Sequence, residues 1–253
     1  MRLIFTGTGN AAGVPAYGCH CVACVRATQQ TDRRRGPCSA ALVVGGETTL
    51  IDAGNLQLGE RFPAGSFSRV LLTHYHMDHV QGLFPIRWGV AKSIPVFGPA
   101  DEKGCDDLFK HPGILDFSET FAAFDQRQFS ELSVTALPLN HSKLCLGYAF
   151  EYKGKKLAYL TDTAGLPEQT MHFLQRWKAD VVVVDCSSPP KEIKSKNHND
   201  LSMAIDIHYR VAPKITYLTH ISHQLDEWFE KTGTKCPEGV VVAYDGLRIE
   251  LTK

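Results

Sequence analysis

His74-Tyr75-His76-Met77-Asp78-His79 brings three imidazoles and a carboxylate together within six residues. Borderline divalent metals such as zinc and manganese accept neutral imidazole and carboxylate ligands, so residue type as well as spacing points to metal chemistry. On extended backbone His74, His76 and Asp78 project to one side, while His79 turns with the start of a helix toward a second metal. A second concentration lies at Cys19-His20-Cys21-Val22-Ala23-Cys24. Thiolates so close favour a tetrahedral zinc, yet C-x-C-x2-C supplies three ligands and leaves the fourth elsewhere, since His20 faces away on extended backbone. A redox or buried cysteine cluster is the alternative reading.

The elements that must position these residues can be read around them. The apolar run Val70-Leu71-Leu72 predicts a strand that delivers the histidine motif to a turn. Four later β-rich runs also end in ligand-type residues: 132–139 at Asn140-His141, 156–160 at Thr161-Asp162, 181–184 at Asp185, and 215–218 at Thr219-His220. Helical periodicity over 167–177 and Leu201–Val211 intervenes, which predicts an α/β layer architecture in which ligands gather at strand ends. His74, His76, Asp78, His79, His141, Asp162 and His220 should therefore meet at one sheet edge. Asp52 closes a strand after a hairpin across Gly45-Gly46, where it either orients a metal-bound histidine or caps the turn. Residues 80–90 suit one helix containing Pro85, 99–120 suit an insertion lying over the site as a rim, and 240–251 suit a hairpin about Asp245-Gly246.

Composition bounds the function. The 253 residues carry 27 basic and 27 acidic side chains, so no general attraction to nucleic acid or membrane is built in. Arg33-Arg34-Arg35 is a solvated loop or a phosphate contact. With no linker, low-complexity tract or repeat, a single domain over 1–253 is expected, with a zinc-binding loop near 19–24. Neither signal peptide nor membrane span is expected, so the cytoplasm is the default compartment; there the eight cysteines bind metal or stay reduced.

The histidine motif, with His141, Asp162 and His220 at strand ends, resembles the metallo-β-lactamase superfamily. That resemblance implies an αββα sandwich of two mixed β-sheets flanked by helices, with a binuclear metal site. Residues 72–85, 104–113 and 218–224 look more narrowly like the phosphoribosyl 1,2-cyclic phosphate phosphodiesterases of the carbon–phosphorus lyase pathway. The resemblance implies a phosphonate-catabolism enzyme acting on a small cyclic ribose phosphate, without nucleic acid or membrane partners, and a homodimer. It puts His74, His76 and His141 on one divalent ion, Asp78, His79 and His220 on the other, and Asp162 between them. It suggests manganese, with zinc or iron acceptable to the same ligands. It also implies a structural zinc on Cys19, Cys21, Cys24 and His223, and a catalytic role for His198 in the polar turn Asn197-His198-Asn199-Asp200. Departure of a ribose alkoxide needs a proton, which a histidine can give near neutral pH. Asp185 and Ser187 are expected near the site, and Lys143 or the arginine run is expected to meet the 5-phosphate. The rivals are a tRNA 3′-processing endonuclease, a glyoxalase II-like thioesterase or lactonase, and a metal-binding scaffold without activity.

Overall fold

The computed structural model describes residues 1–252. In chain order the elements of the first half are β1 (Arg2–Gly7), α1 (Val22–Gln29), β2 (Ser39–Val44), β3 (Glu47–Ile51), α2 (Leu58–Arg61), β4 (Arg69–Leu71), α3 (Met77–Val80), α4 (Leu83–Ile86), β5 (Ile94–Pro99), α5 (Asp106–Lys110), β6 (Leu115–Asp116) and β7 (Thr120–Phe121). The second half adds β8 (Gln126–Phe129), β9 (Leu132–Pro138), β10 (Leu146–Tyr152), β11 (Lys155–Leu160), α6 (Glu168–Trp177), β12 (Val181–Asp185), α7 (Leu201–Val211), β13 (Ile215–Thr219), α8 (His223–Thr232), β14 (Val240–Val242) and β15 (Arg248–Glu250).

The strands form two mixed sheets. One runs β15-β1-β2-β3-β4-β5-β6 with β7 also on β5, and the other runs β14-β13-β12-β11-β10-β9-β8. Apolar side chains from both sheets, including Phe5, Leu42, Ile51, Phe121, Tyr148, Phe150, Tyr159 and Val183, share one buried cluster. Each large side chain removed from water there contributes about 1.5–3 kcal/mol. The outer face of the second sheet packs against α6, α7 and α8 through Leu160, Leu174, Val184, Ile207 and Leu225. The outer face of the first sheet is covered by the short helices through Leu50, Leu58, Val70, Val80, Leu83 and Leu108. The layers are therefore αββα, as expected. Strand β12, four consecutive valines buried on both faces between parallel neighbours, shows why that run is continuous rather than alternating.

Two local expectations fail. Residues 240–251 do not pair as a hairpin: β14 pairs with β13 in one sheet and β15 with β1 in the other. The crossing is held by the Asp245 carboxylate, which accepts from Thr8 N, Thr8 Oγ1 and Gly36 N at 2.7–2.8 Å. Nor is 80–90 one helix. The chain breaks between α3 and α4 because Gly82 N bonds Ala53 O at 2.7 Å, an approach so close that a Cβ on Gly82 would lie 2.2 Å from Asn55 O. Pro85 falls inside α4, a single turn that does not need its missing N–H.

Candidate metal centre

Strands β3, β4 and β5 run parallel in one sheet, and β11, β12 and β13 run parallel in the other, so each set opens its C-terminal ends together. The residues just past those ends are Asp52, Thr73-His74, Asp162 and His220, with Asp185 closing β12; His141 comes from the loop after β9. Asp52, Asp162 and His220 all have left-handed backbone, with φ of 60°, 62° and 60°. A non-glycine residue held there costs on the order of 1–3 kcal/mol, and such strain gathers where surrounding contacts fix a functional side chain. Gly54 lets the histidine motif come close: a Cβ there would sit 1.8 Å from Asp78 O. Asp78 itself lies in the first turn of α3, since the helix starts at Met77 with His76 as its N-cap. The expectation that Asp78 follows His74 and His76 on extended backbone is thereby corrected, and Asp78 and His79 turn away together.

His74, His76, His141 and Asp162 present ligand atoms to one another within 4.8 Å, and Asp78, His79 and His220 form an adjoining group by the same measure. His74 Nε2 and His141 Nε2 lie 2.8 and 3.0 Å from His76 Nδ1. Asp162 Oδ2 sits between the groups, 3.7 Å from His74 Nε2, 3.5 Å from His79 Nε2, 3.7 Å from His141 Nε2 and 3.5 Å from His220 Nε2.

The far side of each ring explains why the inner nitrogens suit a cation. His79 Nδ1 donates to Asp52 Oδ2 at 2.8 Å, and His141 Nδ1 donates to Asn197 O at 3.0 Å. The Thr73 hydroxyl spends its hydrogen on Asp52, so at 3.0 Å it accepts from His74 Nδ1. His220 Nδ1 meets Ser187 Oγ at 2.6 Å. With the outer nitrogen acting as donor, each neutral ring turns a lone pair on Nε2 inward. His79 Nε2 and His220 Nε2 are buried without a hydrogen-bond partner, a costly state that a metal ion removes. Of the two roles expected for Asp52, the structure shows the first: its carboxylate orients His79 and also accepts from Thr73 N at 2.8 Å, partners that both lie outside its own turn.

The electrostatics ask for positive charge. Burial pushes His74 well below its ordinary range, and it lowers His76 and His141 as well, so these three stay neutral. Burial also depresses His220, but Asp162, Asp78 and Asp185 outweigh it and lift the imidazole to about 9. His79 is raised well above its usual range because Asp162 and Asp52 overcome its burial. Burial opposes ionisation of Asp162, yet His220 and His79 hold it well below the usual carboxylate range. Protons drawn to His79 and His220 meet the same demand that divalent ions meet, and the donor set fits such ions.

At a second place Cys19 Sγ and Cys21 Sγ lie 3.3 and 3.5 Å from His223 Nδ1, and Cys24 completes a four-residue group. Zinc about 2.3 Å from sulfur and about 2.0 Å from nitrogen would separate tetrahedral ligands by roughly 3.5 Å, so this spacing fits. Cys21 caps α1, His223 opens α8, and none of the eight cysteines is disulfide-bonded.

Around the histidines, His198 Nδ1 donates to the wholly buried Asp185 at 2.8 Å, and its ring stacks on His220 at 4.6 Å and edge-on to His141 at 5.1 Å. Within the arginine run Arg33 and Arg34 are exposed, Arg34 bonding Ala27 O, whereas Arg35 is drawn inward: it pairs with Asp226 at 2.7 and 3.0 Å and bonds Thr8 and Ala243 O. Half-buried Lys143 instead donates to Gly104 O at 3.1 Å, tying the 99–120 insertion to the His141 loop. Gly104 packs on the Tyr75 ring, where a Cβ would lie 2.6 Å away. Thr73, Asn197 and the buried Cys38–Thr161–Thr219 group were not singled out by sequence, since single hydroxyls and a lone thiol carry no spacing signal.

Residues 48–221 match the family model described as a beta-lactamase superfamily domain. A solved diphosphatase from the PhnP family is 26% identical, with a TM-score of 0.83 over 98% of this chain and 97% of that one. Among curated relatives, an octanoyltransferase of Porphyromonas gingivalis is 28% identical over 98% of this chain and 51% of its own length. A ribonuclease Z of Pyrococcus horikoshii is 26% identical over 62% of this chain and 50% of its own. The chain spans about half the length of the curated relatives it matches.

Proposed function

The chain belongs to the beta-lactamase superfamily, and from that premise we propose that it is a metal-dependent hydrolase that opens 5-phosphoribosyl 1,2-cyclic phosphate to ribose 1,5-bisphosphate. The observation that carries the reading is the His198–Asp185 pair at 2.8 Å, set against His220 and His141. A cyclic phosphate ester leaves as a sugar alkoxide, which needs an acid at the departing oxygen, whereas a thiolate leaves without one. The full-length likeness to a PhnP-family diphosphatase supports phosphoryl chemistry.

In this reading His74, His76 and His141 would hold one divalent ion and Asp78, His79 and His220 a second, with Asp162 placed between the two groups. When bound, such ions make water a nucleophile near neutral pH and neutralise charge on phosphoryl oxygens. His198 Nε2 delivers a proton to ribose O2 as the P–O2 bond breaks; water supplies the new P–O bond, so the ring opens with the phosphate retained on C1. Asp185 holds His198 in place and stabilises the imidazolium. Lys143, two residues from His141, carries the charge for the 5-phosphate, whereas Arg35 is spent on Asp226. Cys19, Cys21, Cys24 and His223 would hold a structural zinc. The shared core between the sheets supports one domain over 1–253. Zero formal charge supports a small-molecule substrate over tRNA. Among the described residues no helix is long and apolar enough to cross a membrane.

A tRNA 3′-processing nuclease is the second reading, favoured by the ribonuclease Z relative that aligns with 62% of this chain. Turnover of the cyclic ribose phosphate, a tRNA precursor, an acyl thioester and a lactam by one metal-loaded preparation separates the readings. The first substrate should be preferred by orders of magnitude in kcat/KM, and preference for any other overturns the proposal.

A further inference from the structure

Beneath Asp162 lies a buried polar cluster that the proposed reaction does not use. Cys38, just before β2 in the first sheet, points its Sγ at three hydroxyls of the second sheet: Tyr159 at 3.4 Å, Thr161 at 3.3 Å and Thr219 at 3.3 Å. Cys38, Tyr159, Thr161 and Thr219 are each wholly buried. Thr161 Oγ1 in turn donates to Asp162 Oδ1 at 3.0 Å. A carboxylate only accepts, so the single hydrogen of Thr161 is committed there, and the group left to donate to the Thr161 oxygen is the Cys38 S–H. On the other side Cys145 Sγ touches Asp162 O at 3.5 Å and Thr161 O at 3.8 Å. Asp162 holds left-handed backbone with φ 62°, so its orientation depends on such contacts.

The consequence is a division of labour between the two carboxylate oxygens. Oδ1 is occupied by Thr161, and Oδ2 faces four histidine Nε2 atoms at 3.5–3.7 Å. We infer that Cys38 is a positioning residue: through Thr161 it fixes which oxygen of Asp162 is shared between the two metal-ligand groups. This rests on Asp162 being the bridging ligand of the proposed site. A thiol serving only as small apolar filler would tolerate any residue of similar size; a positioning thiol requires a donor at that point.

The test compares Cys38→Ala, Cys38→Ser, Thr161→Val and Asp162→Asn in the full chain, after selective removal of the exchangeable ions. Cobalt(II) titration followed by its visible absorption gives the affinity and the ligand-field spectrum of the pair, and thermal unfolding of the ion-free proteins monitors the fold. Loss of an outer hydrogen bond to a ligand typically weakens metal binding about 10–100-fold. Cys38→Ala should weaken the more weakly held cobalt ion by that factor with an altered spectrum, while Cys38→Ser, which keeps a donor, should stay within about threefold of wild type. Thr161→Val preserves volume and should reproduce the alanine effect, which keeps the inference testable if Cys38→Ala does not fold. Wild-type affinity and spectrum in Thr161→Val, or equal losses in the serine and alanine variants, overturns the role of Cys38. Unchanged cobalt binding by Asp162→Asn overturns the metal-site reading itself.

Discussion

Replacing His198 with alanine should impair substrates in proportion to how badly their leaving group needs a proton. The side chain is 28% exposed, and its Nδ1 is committed to Asp185, which leaves Nε2 free to act. A general acid contributes about 10²–10⁴-fold, or roughly 3–5 kcal/mol of barrier. Part of that resides in Asp185, whose carboxylate also accepts from Thr163 N at 3.0 Å and from Ser187 Oγ at 3.2 Å, so it is fixed before substrate arrives. A charged hydrogen bond of this kind is worth about 1.5–3 kcal/mol, which predicts a loss of roughly 10–150-fold in kcat for Asp185→Asn. The assay is steady-state hydrolysis of the cyclic ribose phosphate beside bis(p-nitrophenyl) phosphate, whose p-nitrophenolate departs as a stabilised anion. His198→Ala should lose at least 10²-fold in kcat on the first and less than about 5-fold on the second, with metal content unchanged. Adding Asp185→Asn to His198→Ala should cost little more, because both act through one proton. Equal losses on the two substrates would refute the acid role and leave His198 a structural neighbour of His220.

Four further outcomes follow from particular contacts. Asp52→Ala strips His79 and Thr73 of a wholly buried partner; a loss of about 3–5 kcal/mol is expected, seen as a fall of roughly 6–20 °C in melting temperature together with weaker metal binding. Gentle chelation should remove two exchangeable ions and all activity while about one zinc per chain remains on the cysteines; Cys24→Ser should release that zinc, and elemental analysis reads both. Lys143→Met should raise KM for the 5-phosphorylated substrate about 10-fold, given the worth of one charged hydrogen bond, yet spare a cyclic phosphate that lacks the second phosphate; equal effects on both would count against the assignment. Burial opposes ionisation of Asp180, but hydrogen bonds from Lys214 and the Lys156 N–H outweigh it and lower its pKa. A depressed carboxylate stabilises fully above its unfolded value of about 3.9 and loses that contribution as pH falls through the folded one. The stability gap between wild type and Asp180→Asn should therefore hold above about pH 5 and close in stronger acid, which urea melts at several pH values will show.

How much could be read from the chain alone depended on the range of the signal. Period-two and period-3.6 patterns are local, so β9, β12, β13 and α7 fall where the sequence puts them, and their ends deliver His141, Asp185 and His220 as expected. What failed was decided by distant partners. The residues flanking Asp245-Gly246 look like a hairpin locally, and only the buried contacts of Asp245 with Thr8 and Gly36 send the chain to the other sheet. Arg35 looks solvated, like its neighbours Arg33 and Arg34, until Asp226, 191 residues on, pairs with it. The hydroxyl behind His74 and the carbonyl behind His141 were invisible for the same reason. Thr73 and Asn197 become informative only after the rings they orient are in place.

The spacing of His220 and His223 shows how the two clusters depend on one another. His220 ends the turn after β13 in left-handed backbone, Ser222 caps α8, and His223 begins that helix, so one four-residue segment serves both sites. Between them Ile221 is wholly buried; its N–H donates to Thr8 O at 2.8 Å and its carbonyl accepts from Asn10 N at 3.2 Å. The 8–24 loop is therefore clamped to this segment twice, by main chain at Ile221 and by thiols at His223. Releasing the cysteine end leaves the main-chain bonds at Ile221 to hold the turn that aims His220 Nε2 at Asp78 and Asp162. Zinc at the cysteines would thus act on the catalytic pair through the backbone, without touching substrate. Removal of that zinc should weaken the ion on His220 more than the ion on His74, His76 and His141, since His74 and His141 are held by Thr73 just past β4 and by the Asn197 carbonyl before α7.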